Sequence, residues 1–160
     1  MRSRRPVGGG IGAVRLPWLR LPLYLIDTNV ISELRRLRPH GAVAAWIREV
    51  SDADLYLSAV TIGELQAGIE ITREQDPEKA TELQDWLDRV EQTYNVLPMD
   101  GRTFQLWARL MHRKSDALIE DAMIAATAII HNLTVVTRNV RDFRDFDVRT
   151  LNPFLHGQHR

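Results

Sequence analysis

The chain has 160 residues, 44% of them hydrophobic, and its 21 basic side chains balance 21 acidic ones. That length suits one domain with a full core. With no cysteine it forms neither a disulfide nor a thiolate metal site. No apolar run approaches the roughly 20 residues that span a bilayer, so a cytoplasmic location and no membrane partner are expected.

The charge balance is uneven. Arg2, Arg4, Arg5, Arg15 and Arg20 precede Asp27, and no acid does. The remainder is net acidic, so it would hold nucleic acid through local basic clusters or metal ions rather than a global field. Residues 1–22 contain Gly8-Gly9-Gly10, Gly12, Pro6, Pro17 and Pro22 without periodicity. They read as a disordered basic tail, or as translation from a start assigned too far upstream. Arg15 breaks the apolar core a secretory signal needs, and the glycines lack the flanking strand and helix of a phosphate loop.

Residues 23–26 form an apolar run and read as the first strand. The run stops on Asp27, then Thr28 and Asn29, before a helical pattern over 30–37. A second helix is expected over 42–50 and a second strand over 55–57. Thr61-Ile62-Gly63-Glu64 then opens a helix over 62–71 with capping-box spacing. Pro77 introduces a helix over 78–93, whose Ala80, Leu83, Leu87, Val90 and Tyr94 share one face. A strand over 95–97, helices over 102–112 and 119–131, a strand over 133–137 and a weaker fifth strand over 148–151 follow. Such alternation predicts an α/β fold: a three-layer α/β/α sandwich with a mostly parallel sheet of four to five strands. The domain is expected over 23–154, with a C-terminal tail at 155–160. Ligands of such folds bind beyond the carboxyl ends of the strands.

Acids follow the first, second and fourth strands, and another opens the helix before the fourth strand. Position alone does not separate a cap from a ligand at Asp27, because Thr28 and Asn29 cap equally well. Glu64 alone reads as half of a capping box. The stretch SDALIEDAMIAATAII offers Asp116, Glu120 and Asp121. At about 100° per residue, Asp121 shares a face with Ile124, Ala125 and Ala128. An acid on that buried face is costly without a partner, so Asp121 reads as functional. Glu120 falls on a polar stripe with Thr127 and His131 and reads as solvated. After LTVVT, Thr137 and Asn139 end the strand and Asp142 follows one turn later, a pattern that suits a capped turn as well as a site. Caps need not converge, whereas metal ligands must, and all four acids can reach one sheet edge.

Asp27, Glu64, Asp121 and Asp142 together make an oxygen-only donor set, suited to Mg²⁺ or Mn²⁺ rather than Zn²⁺. The five histidines show no ligand spacing and read as solvent-facing. A hard cation on carboxylates suits phosphodiester hydrolysis, and Arg35, Arg36, Arg38, Arg138, Arg141 and Arg144 flank the acids as phosphate-binding forks. On this reading Asp27 belongs to a metal site and capping falls to its neighbours.

The motifs LIDTNVISEL, TIGELQAGI, DAMIAATA and LTVVTRNVRDF, in that order, resemble PIN-domain ribonucleases of the VapC/FitB type, toxins of type II toxin–antitoxin systems. The likeness runs from Tyr24 to Phe154. It implies Mg²⁺- or Mn²⁺-dependent endoribonuclease activity on RNA, homodimerisation and a cognate antitoxin. It places the metal on Asp27, Glu64, Asp121 and Asp142, with Thr28, Asn29, Thr137, Arg138 and Asn139 as substrate or support residues. It also suggests an antitoxin groove on the first helices with Trp46 as anchor. The basic tail and the extra charge of Glu120 depart from the pattern. Three rival readings fit the sequence less well. A receiver-like signalling domain would use Asp100 but needs a lysine after the fifth strand. A haloacid-dehalogenase-type phosphatase needs an acid where Asn29 stands. A non-catalytic RNA-binding protein of the same fold has no reason to keep four repelling acids.

Overall fold

The computed structural model describes residues 22–158. The proposed tail therefore lies outside the described residues except for Pro22. Five strands, β1 (Tyr24–Ile26), β2 (Leu55–Ser58), β3 (Asn95–Leu97), β4 (Thr134–Val136) and β5 (Thr150–Leu151), make one sheet in the order β3-β2-β1-β4-β5. Every pairing is parallel, with Leu25 opposite Tyr56 on one side and Val135 on the other. All strand carboxyl ends therefore share one edge.

The period-2 alternation of the strands assigns side chains to two cores. Ile26, Leu55, Leu57 and Val136 pack with Val30, Ile31, Val43, Trp46 and Phe154 on one face. Leu25 and Val135 pack on the other with Ala122, Ile124, Ala125, Ala128, Phe143 and Phe146. The covering helices are α1 (Thr28–Leu34), α2 (Gly41–Glu49), α3 (Ala59–Gln75), α4 (Pro77–Thr93), α5 (Gly101–Met111) and α6 (Ile119–His131). The three-layer α/β/α expectation holds. The alanines of α6 are fully buried, because small side chains let a helix approach the sheet closely. Among the described residues no helix is long and apolar enough to cross a membrane.

Several local expectations change. Helix α3 begins at Ala59, three residues before the predicted start, because Ser58 is its cap and accepts from the Val60 N–H at 3.1 Å. Thr61 is thus inside the helix, fully buried, and no capping box forms. Trp46 is only 4% exposed and meets Tyr24 edge-on at 5.2 Å. It is a core residue and offers no anchor to a partner. The polar stripe of α6 is not solvated throughout, since Thr127 is buried and donates to the Met123 carbonyl at 2.9 Å. His156 is partly buried and lies 3.0 Å from Glu49 rather than standing free in solvent.

Candidate active site

Strand β1 delivers Asp27 to the carboxyl edge, where its N–H is still held by the Val136 carbonyl at 2.9 Å. The side chain is 5% exposed. Its Oδ1 accepts from the Thr28 N–H at 2.8 Å, and its Oδ2 accepts from Thr137 Oγ1 at 2.7 Å and Asn29 Nδ2 at 2.9 Å. Asp27 is itself the N-cap of α1, so the expectation that its neighbours do the capping is corrected. One carboxylate ends the helix with one oxygen and faces the site network with the other.

The supporting residues interlock. Asn29 turns its amide group to Asp27 and Thr137, and its carbonyl accepts from the Arg138 N–H at 3.1 Å. Thr137 also accepts from the Asn139 N–H at 3.0 Å. Thr28 Oγ1 is hydrogen-bonded with Thr61 Oγ1 at 3.1 Å, tying α1 to α3. This is a positioning role for Thr61, which the capping-box reading hid. Arg138 contributes its backbone here, while its guanidinium lies 4.7 Å above the Phe154 ring.

Glu64 reaches the same edge from the second turn of α3, Asp121 from the first turn of α6, and Asp142 from the 3-10 segment Val140–Phe146 after β4. Their charges act on one another. Burial pushes the Asp27 carboxyl up, against the hydrogen bonds from Thr137, Thr28 and Asn29, and Asp142 adds to the rise. Burial also raises Glu64, opposed by the Thr28 hydroxyl and reinforced by Asp27 and Glu120. Asp121 is pushed up to about 7, first by burial and then by Asp27, Asp142, Glu64 and Glu120. Glu120 is exposed, as expected, yet its charge is felt at Glu64 and Asp121. Helix arithmetic gave no sign of that influence.

Among the described residues no salt bridge involves Asp27, Glu64, Asp121 or Asp142. Buried and part-buried acids that lack a basic partner, three of them with raised pKa values, fit a cation. Among the described residues no three acids or histidines are drawn together tightly enough to cage an ion. An open arrangement of this kind suits Mg²⁺, which binds through one or two carboxylates and keeps several waters. Asp100, the acid a receiver-like site would use, instead caps α5 by accepting from Thr103 N–H and Oγ1 at 2.9 and 2.8 Å.

The PIN domain family model matches residues 24–148. The chain belongs to the PIN-domain family. Toxin FitB of Neisseria gonorrhoeae is 36% identical over 143 residues, covering 82% of this PIN chain and 99% of that protein. VapC ribonuclease Y4jK of Sinorhizobium fredii is 34% identical over 139 residues, covering 82% and 98%. The crystal structure of FitAcB from Neisseria gonorrhoeae superposes with a TM-score of 0.74 at 35% identity, over 82% of this PIN chain and 99% of that one.

Proposed function

We propose that this PIN-domain protein is the ribonuclease toxin of a toxin–antitoxin pair, cutting RNA with a divalent cation, Mg²⁺ or Mn²⁺, on Asp27, Glu64, Asp121 and Asp142. The reading is supported by the raised pKa of Asp121, to which Asp27, Glu64 and Asp142 all contribute, with none of the four acids in a salt bridge among the described residues. The bound cation supplies charge neutralisation and an acidified water for phosphodiester hydrolysis. The chain's own residues do the positioning. Thr137 and Asn29 lock the Asp27 rotamer, and the Thr28–Thr61 contact fixes the start of α1 against the helix that carries Glu64. The Asp121 carboxyl holds a proton near neutrality and must release it to act as an anionic ligand. Exposed Arg141 and Arg144, on the segment that carries Asp142, are placed to take phosphates as bidentate forks.

Relatives of this chain were solved as FitAB and VapBC complexes, and a small antitoxin protein is accordingly the expected partner. A homodimer belongs to the same proposal. The test is hydrolysis of a mixed RNA pool by antitoxin-free protein. Cleavage in Mn²⁺ or Mg²⁺, abolished by EDTA and by Asp121→Asn, is expected. An intact pool in both metals overturns the reading.

A further inference from the structure

Two clefts meet on the α1 side of the sheet. One, of about 380 Å³, opens at Thr28 and Glu64 and runs past Ser32 and Gly68 to Arg35 and Trp86. The other, of about 430 Å³, shares Arg35 and Trp86 and continues between Arg36, Lys79 and Arg89. They share Arg35, Leu83 and Trp86, and together run from Glu64, one of the four acids, to four cations. Lys79 is engaged by Glu82 at 2.8 Å, and Arg36 by Glu33 at 3.4 Å. Arg35 and Arg89 have no acid partner among the described residues. Arg35 instead lies 5.9 Å from the centre of the Trp86 ring. On a body whose residues from Asp27 onward are net acidic, this concentration of cations is a local feature of the cleft.

We propose, resting on the ribonuclease reading, that the cleft carries a single-stranded stretch of the RNA beside the cut phosphodiester. The strand passes from Thr28 and Glu64 over Gly68, sets phosphates on Arg35 and Arg89, and stacks a base on Trp86. Three observations support this occupant. Glu64, one of the four acids, lines the cleft beside Thr28, so a strand held at that acid has the cleft next to it. Its unpaired charges are guanidiniums, which match phosphate oxygens as planar forks. The Trp86 indole is partly buried against the core yet lines both clefts beside these cations. An aromatic so placed is the usual platform for a single strand, because every base offers a π-face. Gly68 keeps the floor low: a Cβ built there meets nothing within 4 Å, so a side chain at this position projects into the cleft and not into the protein.

That geometry supplies the test. Binding of a fluorescein-labelled, mixed-sequence single-stranded RNA oligonucleotide is read by anisotropy in EDTA, where hydrolysis plays no part. Arg89→Ala and Trp86→Leu should each weaken binding about 10-fold. Arg89→Ala should also flatten the slope of log affinity against log salt by about 0.7, one phosphate's worth for a single strand. Gly68→Gln should weaken binding comparably while leaving the melting temperature equal or higher, since a helix-interior glycine is replaced without a clash. Arg149→Ala, at the opposite edge of the sheet, should change nothing. Unaltered affinity in both Arg89→Ala and Gly68→Gln overturns the proposal. If those variants bind RNA normally but lose a co-expressed antitoxin, the cleft is a protein-docking groove and the RNA path is wrong. Cleavage is scored separately. Failure to cut RNA with cleft-dependent binding intact sinks the ribonuclease reading and leaves the path standing.

Discussion

The Thr137 hydroxyl serves three groups at once, donating to Asp27 and accepting from Asn29 Nδ2 and the Asn139 N–H. Valine keeps its shape and removes all three bonds. Thr137→Val should therefore lose about 2 kcal/mol, the cost of leaving buried polar groups unpaired, measurable by urea unfolding. Asp121 makes the opposite prediction. Its folded pKa of about 7 exceeds the ordinary 3.8, and Asp27 and Glu64 are raised in the same direction. A group whose pKa rises on folding contributes stability that is present below its unfolded value and is lost as pH climbs through the folded one. The metal-free protein should thus lose stability between about pH 4 and pH 7. Asp121→Asn removes the charge and keeps the shape, so its profile should be flatter. Above neutrality it should be more stable by about 1–2 kcal/mol, the full linkage effect being screened at a half-exposed carboxyl. Thermal melts in EDTA across that range decide the matter. A mutant less stable than wild type above pH 7 would show that Asp121 is structural.

At the scale of elements, the start of α3 decides what Glu64 does. With Ser58 as cap, Glu64 stands in the second turn, too far along to reach back to the helix start. Ser58→Ala should cost about 1 kcal/mol, whereas Glu64→Gln should leave metal-free stability equal or higher and abolish cleavage. If Glu64→Gln proves the more destabilising of the two, the acid is a cap after all. The α1 boundary carries the same lesson, because Asp27 both ends β1 and caps α1. Strand, cap and candidate ligand coincide in one residue, and this leaves its carboxylate little rotational freedom.

For the whole molecule, the unpaired acids predict stabilisation by any cation that binds only the native state. At about 100 times its dissociation constant, Mn²⁺ should add about 2.7 kcal/mol, seen as a rising melting temperature in wild type and a much smaller rise in Asp121→Asn. The aperiodic Gly/Pro composition of residues 1–21 also leads us to propose that they are not needed for folding. Deleting them should leave the melting temperature and RNA cleavage unchanged, and a large drop in either would place the segment in the domain.

The amino-acid sequence by itself determined the order of elements, the parallel sheet and the four acids at strand ends. Each is written locally, in period-2 and period-3.6 apolar patterns and in the residues that interrupt them. Even the α6 face carrying Asp121 followed from helical spacing alone. Local pattern could not decide between outcomes that share one spacing. An aromatic on an amphipathic helix looks the same whether it awaits a partner or, like Trp46, fills the core against Tyr24. Thr61 and Ser58 are equally good caps until the end of β2 sets where the helix begins. Glu120 and Asp121 differ by one step of rotation, and only the packed structure shows that the charge of Glu120 reaches both Glu64 and Asp121. The cleft has no local signature at all, because Arg35 at the end of α1, Gly68 of α3 and Trp86 of α4 meet only when the chain has packed.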